Sequence, residues 1–504
     1  MLYWKKTRLN SRFYGLDALA RWGVIRTRRL LNAPNLAAGV VLLVYLRTLA
    51  PTVFDLDSAE LTLGAFSLGL VHAPGYPVYL LLAHLFTYLP LADIGYRVNL
   101  LSALSGAVTV ALLVRLAQRL TQHSLTGLVV GLSYGFCFYV WSLALVAEVY
   151  TLQSLFLAAI LLLLWQWQES GQARWLLTAV ALTGVAAANN PSTALWWPGL
   201  FILAWTAPHR KRLTIADYAT GAVVFVLALS PLLYLPLRSA AQPEFVQVGR
   251  FDATGAFHPL DLTQMGNLFW YLSGRQFGNL ILRYTAVEYG AQALQFLYWL
   301  WAAFLGIGLP LGLGGAWMLW KRQRAVAIGL FLTALPHALF FIGYRAVDKE
   351  TMFLPVFLIW ALLLGVGVEW LLSRTPKQTH ALALLLPASL LWINFAYADV
   401  SDFRLPSQQA RDQLLAADTG ALYLATWGDA ELMRYHQIVA GLRPDVEVVN
   451  RFFIAPADLT GLIQRRLDGG RTVYSTYELL MLPPQFVAQK NGSGYRILSR
   501  KEAP

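Results

Sequence analysis

The sequence is poor in charged residues and has almost no cysteine. Only 13% of its 504 residues are charged, whereas an average soluble domain carries about 25%, and 57% are hydrophobic. This composition excludes a soluble globular enzyme, a disordered chain and a fibrous repeat, and it indicates a polytopic membrane protein. The single cysteine, Cys137, lies in an apolar run, so an internal disulfide and a cysteine-based metal site are both excluded.

The charges that are present favour the basic side. Lys and Arg number 39 and Asp and Glu number 27, which gives a net charge of +12. Membrane topology accounts for this excess better than nucleic acid, which we do not expect as a partner. Residues 1–31 carry eight Lys and Arg side chains among aromatic residues and lack a signal-peptide cleavage site. We interpret them as a cytoplasmic interfacial helix on anionic lipid, with a solvated tail as the alternative.

Between residues 35 and 397 the chain is a series of apolar runs that suit transmembrane helices, which need about 20 apolar residues. We predict about eleven spans, at 35–50, 98–118, 125–143, 151–167, 175–188, 192–207, 216–236, 293–319, 325–344, 352–373 and 380–397. With the basic N-terminus inside, the Arg- and Lys-rich loops all fall on the cytoplasmic face. This assignment requires the run Tyr76–Pro90, of about 15 residues, to be a re-entrant or interfacial helix.

The sequence predicts three regions. Residues 1–31 form the basic segment, 32–397 an all-α transmembrane domain, and 398–504 a small domain that the odd number of spans places outside. Residues 237–290 form a long external loop within the second region. In the last region, short alternating runs indicate a small α/β domain. The predicted strands are 421–426, 446–449 and 471–474, and the predicted helices are 430–442 and 457–467.

Two acidic residues in the first external loop are the strongest candidates for chemistry. Asp57 and Glu60 are three residues apart and share one face of a helix that starts there. They could simply cap that helix, or one of them could act as a general base in an apolar setting. His72 precedes the tight Pro74-Gly75-Tyr76-Pro77 segment, where it either enters a turn or orients the base.

Other polar residues recur at the predicted external ends of the spans. The candidates for substrate binding, besides His72, are Tyr76, Arg97, Asn99, Glu148, Tyr150, Asn190, Arg238, Arg275, Arg345 and Asp348. Each Arg could be an interface anchor, although external arginines suit the binding of a phosphate. Glu148 either complements a helix dipole or is a second acidic group. No P-loop, Rossmann fingerprint, zinc spacing or G-x-S-x-G elbow occurs, so energy must come from an activated substrate or a gradient.

Four short motifs occur together in one order and spacing. They are Asp57-Ser58-Ala59-Glu60, His72-Ala73-Pro74-Gly75-Tyr76-Pro77, Arg97-Val98-Asn99-Leu100 and Glu148-Val149-Tyr150. The set resembles the glycosyltransferase C (GT-C) superfamily, and within it the family of the animal transmembrane O-mannosyltransferase and its bacterial relatives. Protein mannosyltransferases and aminoarabinose transferases are similar more distantly. The family has Gly and Pro where this chain has Ala59 and Ala73, and weaker similarity recurs at Arg345–Pro355 and Gly441–Val446.

The resemblance implies an inverting glycosyltransferase that takes a sugar from a polyprenyl-phosphate carrier at the external face. Asp57 would deprotonate a hydroxyl acceptor on a protein, glycan or lipid, with Glu60 as its neighbour or the alternative base. His72 and Glu148 would line the sugar and acceptor site. The arginines expected at the phosphate are Arg345 with Arg275 or Arg238.

Two further points stay open in the sequence. Some GT-C members use a divalent metal, so Mg²⁺ or Mn²⁺ could be held by Asp57, Glu60 and Glu148, although no cofactor is firmly implied. The main alternative function is a transporter or flippase of polyprenyl-linked glycans, and a non-catalytic scaffold is the other. A transporter should have charged or broken segments at mid-membrane in two related halves, a pattern that we do not find in the sequence.

Overall fold

The computed structural model describes residues 32–476, 482, 484–492 and 494–500. The interfacial helix predicted at 1–31 lies outside these residues. Within them, a helical membrane domain is followed by a small mixed α/β domain. The helices up to residue 241 are α1 (Ala33–Thr48), α2 (Asp57–Ser67), α3 (Pro77–Thr87), α4 (Ile94–Thr121), α5 (Ser124–Gly135), α6 (Phe138–Ala144), α7 (Tyr150–Ser170), α8 (Ala173–Asn189), α9 (Trp197–Trp205), α10 (Ile215–Ala228) and α11 (Tyr234–Ala241).

The second half of the membrane domain begins with a short hairpin. Strands β1 (Gly249–Phe251) and β2 (Phe257–Pro259) pair antiparallel in the long external loop. The helices that follow are α12 (Met265–Leu272), α13 (Ala286–Ala303), α14 (Gly308–Arg322), α15 (Arg324–Ile342), α16 (Leu354–Leu372) and α17 (Leu385–Ala398).

Among the described residues, fewer helices are long and apolar enough to span a membrane than the eleven spans that we predict. In the described residues, six helices are long and apolar enough to cross a membrane, or eight if each of two bent pairs counts as one span. The predicted count of eleven therefore stays a prediction. The run 192–207, for example, is divided into a 3-10 turn, Pro191–Trp196, and the nine-residue α9. Helix α3 has 11 residues and is therefore about 16 Å long, too short to cross a hydrocarbon core of about 30 Å. This length is compatible with the interpretation of the run Tyr76–Pro90 as a re-entrant or interfacial helix.

The predicted span 125–143 is broken in the structure. Its two halves, α5 and α6, meet at an angle of 63°. The break frees backbone carbonyls, and two side chains satisfy them: Tyr45 Oη donates to Gly135 O at 2.7 Å and Asn394 Nδ2 donates to Phe136 O at 2.8 Å. Non-helical backbone at membrane depth is tolerated where neighbouring helices supply such partners.

The predicted span 293–319 is broken as well, with 96° between α13 and α14. Beyond the break, α14 packs closely against α16. A Cβ at Gly315 would lie 1.8 Å from Leu363 O, so this approach of two backbones requires a glycine. Small residues at helix interfaces are typical of membrane proteins, because close packing replaces the hydrophobic effect there.

Helix α4 positions the end of the membrane domain that we predict to be external. It packs against α1, α3, α5 and α7, and it starts after Asp93, whose side chain accepts a hydrogen bond from Tyr96 N at 2.8 Å. Near this end Asn99 Nδ2 donates to Ala50 O and Thr52 O, both at 3.1 Å. The loop between α1 and α2 is therefore fixed to the end of the longest helix.

The C-terminal domain follows the predicted order of elements. Its helices are α18 (Leu405–Ala416), α19 (Trp427–Ala440) and α20 (Pro456–Asp468), and its strands are β3 (Leu422–Ala425), β4 (Glu447–Asn450), β5 (Val473–Ser475), β6 (Phe486–Asn491) and β7 (Gly494–Ser499). The sheet has the order β4-β3-β5-β7-β6, with the first three strands parallel and the last two antiparallel to their neighbours. Strands β3 to β5 and helices α19 and α20 correspond to predicted elements, whereas α18 and the hairpin β6–β7 were not predicted. Because α19 packs against α2, the domain lies over the first external loop.

Candidate active site

Helix α2 positions the two predicted acids. Asp57 is its first residue and Glu60 lies one turn later on the same side. Ser58, between them, accepts a hydrogen bond from Ala147 N at 3.0 Å, which ties the helix to the turn before α7. The spacing of Asp57 and Glu60 in the helix thus determines the relative positions of the two carboxylates. The hydrogen bond of Ser58 determines where in the fold they lie.

The turn before α7 brings a third acid to this place. Ser102 Oγ donates to Glu148 O and accepts from Glu148 N, both at 3.1 Å. The backbone of Glu148 is therefore clamped against α4, while its side chain shares an electrostatic environment with Asp57 and His72. Glu148 and Asp57 approach each other although 91 positions separate them in the chain.

Glu60 and His72 form a buried pair at the centre of the site. One carboxylate oxygen of Glu60 accepts the backbone N–H of His72, and the other lies 2.8 Å from His72 Nδ1. On the opposite side of the ring, Nε2 lies 3.3 Å from Tyr76 Oη and 3.9 Å from Asp57 Oδ2. The imidazole thus connects the buried acid to the more exposed one.

The charges within this pair follow from its surroundings. Burial opposes a charged imidazole, but the carboxylates of Glu60, Asp57 and Glu148 outweigh it and raise the pKa of His72 to about 10. Burial also raises the pKa of Glu60, and His72 opposes that shift. At neutral pH we therefore describe His72 as an imidazolium. The side chain of Asp57 is 37% exposed and that of Glu60 is 0% exposed, so Asp57 is the acid of this pair that a solute can reach.

The long external loop holds the His72 segment in place. Tyr271 Oη donates to Val71 O, and Gln276 Oε1 accepts from Ala73 N at 3.0 Å. Gly75 has φ +92°, and a Cβ there would lie 2.7 Å from Tyr271 Oη. Only glycine fits this close approach without strain.

Aromatic rings from three separate segments surround the His72 ring. Tyr76 belongs to the same loop, Phe277 to the long external loop, and Trp427 to the C-terminal domain. Their centroids lie 5.4, 5.8 and 5.8 Å from that of His72, each in an edge-on arrangement. The His72 side chain is consequently buried by all three parts of the external face.

Asp348 completes an acidic wall with Asp57 and Glu148. Burial raises the pKa of Asp348, and the charge of Asp57 adds to the shift. Burial likewise raises the pKa of Glu148 well above its usual range, and the charges of Asp57 and Asp348 raise it further. Burial, Asp348 and Asp57 together raise the pKa of Tyr344 to about 12. The three carboxyl groups therefore share one electrostatic environment.

Two of the predicted arginines donate hydrogen bonds to backbone carbonyls. Arg97 donates to Thr87 O at 2.8 Å and to Ala92 O at 2.9 Å, beyond the end of α3. Arg238 donates to Leu68 O at 2.6 Å, at the end of α2. Both guanidinium groups support the backbone of the external loops, and their roles in substrate binding stay predictions.

The remaining predicted residues have more varied surroundings. Arg345 lies 3.2 Å from Glu288 and over the ring of Tyr284 at 5.0 Å. Asn190 caps the turn that follows it by accepting a hydrogen bond from Ser192 N at 3.0 Å. The other two predicted residues are Arg275, which starts the 3-10 turn that carries Gln276 and Phe277, and Tyr150, the first residue of α7.

Several residues of the site could not be identified from the sequence. Besides Phe277, Gln276 and Trp427, the main one is Glu431 of α19, which is fully buried. Its Oε1 accepts from Gln247 Nε2 at 2.6 Å and from Asn450 Nδ2 at 3.3 Å. Burial, with a contribution from Glu60, raises the pKa of Glu431 to about 7, although Arg434 opposes the shift. These residues follow the first loop by roughly 200 positions or more, so no local pattern connects them to it.

The donor set of Asp57, Glu60 and His72 is compatible with a divalent metal. One ligand atom from each lies within 4.8 Å of the others. Two carboxylates and an imidazole suit Mn²⁺ better than Mg²⁺, which prefers oxygen ligands alone. Both oxygens of Glu60, however, already contact His72. A metal at this place would have to displace that interaction and take the proton from Nδ1.

The chain is similar to known proteins over most of its length. A sequence model described as "Protein O-mannosyl-transferase TMEM260 N-terminal domain" matches residues 57–213, a range that contains all four motifs. The chain is 26% identical over 497 residues to protein O-mannosyl-transferase TMEM260 of Mus musculus, which covers 88% of this chain and 68% of that one. It is 22% identical over 124 residues to the tmem260 protein of Dictyostelium discoideum, which covers 24% of this chain and 15% of that one.

Among solved structures, ArnT of Cupriavidus metallidurans bound to undecaprenyl phosphate is similar in fold. The TM-score is 0.57 at 13% identity, with 91% of this chain and 96% of ArnT covered. The comparisons confirm the predicted resemblance, the fold class and the enzyme class: the chain is an integral membrane protein with the GT-C fold and a glycosyltransferase.

Proposed function

We propose that the chain is an inverting glycosyltransferase that moves a sugar from a polyprenyl-phosphate donor to a hydroxyl group of a protein at the extracytoplasmic face. The observation that carries this proposal is the Asp57 carboxylate, which is partly exposed and lies 3.9 Å from the His72 imidazole in a GT-C fold. The names of the relatives support mannose as the sugar and protein as the acceptor. The undecaprenyl phosphate bound to ArnT supports the class of donor.

In the transfer step, Asp57 acts as the general base and polyprenyl phosphate is the leaving group. Asp57 takes the proton of the acceptor hydroxyl, and that oxygen forms a bond to the anomeric carbon of the sugar. The bond from this carbon to the phosphate oxygen breaks, its electron pair stays on the phosphate, and polyprenyl phosphate leaves. The proton then passes from Asp57 to solvent. Attack opposite to the leaving group inverts the anomeric configuration.

The His72–Glu60 pair keeps Asp57 ready for this step. An imidazolium whose Nε2 lies 3.9 Å from Asp57 Oδ2 places a positive charge beside this carboxyl, which has Glu148 and Asp348 as its acidic neighbours. Because Glu60 is buried and bonded to His72 twice, it positions the ring rather than meeting the acceptor. On the donor side, Arg345 together with Arg275 would balance the charge that develops on the departing phosphate.

The side of the membrane on which the site lies is inferred from the helix ends at the opposite membrane face. Five basic side chains at the predicted cytoplasmic helix ends lie over tryptophan rings, as expected for residues at a membrane interface. The pairs are Arg174 with Trp175, Arg210 with Trp205, Lys321 with Trp317, Arg324 with Trp320 and Arg374 with Trp370, at 3.8 to 4.8 Å. These anchors support a cytoplasmic location for that face, which puts Asp57 and the C-terminal domain outside.

The test is transfer by the purified protein in lipid nanodiscs. We expect release of polyprenyl phosphate from a radiolabelled polyprenyl-phosphate mannose, together with a peptide-linked sugar whose anomeric configuration is inverted in NMR spectra. Assays with EDTA and with added Mn²⁺ establish whether a metal takes part. Movement of intact donor across a sealed vesicle without cleavage of the sugar–phosphate bond would instead indicate a flippase.

A further inference from the structure

The C-terminal domain presents two aromatic rings at the rim of the site. We call Trp427, at the start of α19, and Phe452, which follows β4, the aromatic platform. Their centroids lie 6.3 Å apart, and the Trp427 ring lies 5.8 Å from that of His72. Phe452 is 69% exposed although it belongs to a domain with its own apolar core. An exposed aromatic ring next to a catalytic site is a typical feature of a binding surface.

The platform continues into the loop that carries Asp57, the proposed general base. Leu56 directly precedes Asp57 and is 56% exposed. A Cβ at Gly428, the residue after Trp427, would lie 3.0 Å from Leu56 N, so the start of α19 touches this loop. Apolar surface therefore extends from Phe452 over Trp427 to the immediate neighbour of Asp57.

Trp427 also carries a donor that lacks a partner. Its indole Nε1 is buried, and within the described part of the chain no acceptor forms a hydrogen bond with it. A buried N–H without an acceptor is unfavourable, and an incoming carbonyl or hydroxyl oxygen would relieve this cost. The platform thus holds one unused donor just beneath its apolar surface.

The charges of the site limit what can bind there. The Asp57 carboxylate, with Glu148 and Asp348 as its neighbours, disfavours an anionic group at the place of the acceptor hydroxyl. A neutral polypeptide segment meets all three conditions, because it brings a backbone carbonyl for Trp427 Nε1, an apolar side chain for Phe452, and a Ser or Thr hydroxyl for Asp57.

We propose that the aromatic platform is the acceptor subsite, and that it binds an uncharged polypeptide segment with an apolar residue next to the Ser or Thr that receives the sugar. This inference rests on the proposed function and adds the residues that select the acceptor segment and the preference for an apolar neighbour. Phe452 supplies the preference for an apolar neighbour, and Trp427 holds the peptide backbone.

The test uses two synthetic decapeptides with a single Thr, flanked either by Val and Phe or by Gly. With polyprenyl-phosphate mannose as donor, we expect wild type to have a KM about tenfold lower for the apolar peptide, the effect of burying one apolar side chain. Phe452→Ala raises the KM for the apolar peptide about tenfold, so the two peptides become equivalent. Trp427→Phe raises the KM for both peptides alike, since it removes the donor to the backbone.

Leu415→Ala is the matched control, because Leu415 is an exposed apolar residue of α18 in the same domain. We expect this variant to keep the KM of wild type for both peptides. The platform is overturned if Phe452→Ala leaves the preference between the peptides unchanged. Turnover of the donor with transfer to neither peptide also overturns it but leaves the glycosyltransferase function standing, whereas a donor that stays intact throughout overturns both proposals.

Discussion

The acidic residues of the site and its candidate cations differ in how far apart in the sequence their contact partners lie. Glu60 and His72 are 12 residues apart and bond to each other twice within one loop. Arg238, in contrast, donates to a carbonyl 170 residues away, and Arg345 pairs with a carboxylate 57 residues away. The contact between Glu60 and His72 is thus set largely within one short stretch of chain. The role of an isolated arginine depends on distant segments, so its sequence position alone does not define it.

The largest effect should come from the acidic side, at Asp57. We expect Asp57→Asn to lower kcat about 10³-fold, because a general base contributes about 10²–10⁴ to the rate. Donor binding and the unfolding midpoint should stay close to those of wild type, since the Asp57 side chain is partly exposed and Asn keeps its shape. Initial rates of radiolabel transfer and a donor-binding titration measure the two quantities.

Asp55→Asn is the control for that substitution, because Asp55 lies in the same loop and is also an acid. It should retain most of the transfer rate. Full turnover by Asp57→Asn would remove Asp57 as the base, and equal losses in both variants would point to a general effect of charge.

The second effect concerns the buried pair. We expect Glu60→Gln to destabilise the protein by about 3–5 kcal/mol, the usual consequence of removing one partner from a buried ion pair. The double variant Glu60→Gln, His72→Asn should lose less than the sum of the single variants, since neither partner is then left charged and alone. Denaturation midpoints in detergent give the four stabilities of the cycle.

Glu169→Gln serves as the control for the cycle. It breaks the exposed pair with Arg119, and such pairs contribute only about 0–1 kcal/mol. Additive losses at Glu60 and His72 would show that the two side chains do not interact as the structure has them.

Local patterns in the sequence predicted the positions of strands and helices, but they did not predict where a membrane helix is broken. The alternating runs of the C-terminal domain predicted β3, β4 and β5 because each short strand is bounded by polar turns. The bend at Gly135 and Phe136 could not be predicted, because the run around it is uniformly apolar. Its hydrogen-bond partners, Tyr45 and Asn394, lie in other helices.

The site shows the same division. Asp57, Glu60, His72 and Glu148 were predicted, and the structure brings them together because Ser58 and Ser102 tie their segments. Trp427 and Glu431 could not be predicted, since they approach the loop only after the C-terminal domain docks on α2. Burial of a polar residue in such an interface leaves no periodic signal in the sequence.

The third effect tests this docking through Glu431. Its pKa is about 7 in the folded protein and about 4.3 in an unfolded chain. Folding therefore favours the protonated carboxyl: this contribution is complete below about pH 4 and is lost as the pH rises to about 7, a change of about 4 kcal/mol. The Glu431→Gln variant cannot lose it, so relative to wild type it should gain stability by that amount between pH 4 and pH 8.

Thermal unfolding midpoints at several pH values measure the difference, and all other titrating groups cancel between the two proteins. Asp412→Asn, an exposed acid on α18, should give a curve parallel to that of wild type. Parallel curves for Glu431→Gln would mean that Glu431 is not buried as a protonated acid.

The smallest effect should separate the two external arginines. We expect Arg345→Ala to raise the dissociation constant of the donor about tenfold, the loss of one charge-assisted hydrogen bond to phosphate, and to leave the acceptor KM unchanged. Arg238→Ala should lower the unfolding midpoint instead, because its guanidinium holds the end of α2 at Leu68 O. Separate titrations of donor and acceptor distinguish the two outcomes, and raised salt should reduce the effect at Arg345 because its side chain is about half exposed. If Arg345→Ala weakened both substrates equally, Arg345 would not bind the phosphate, and the cation for the leaving group would have to come from another segment of the external face.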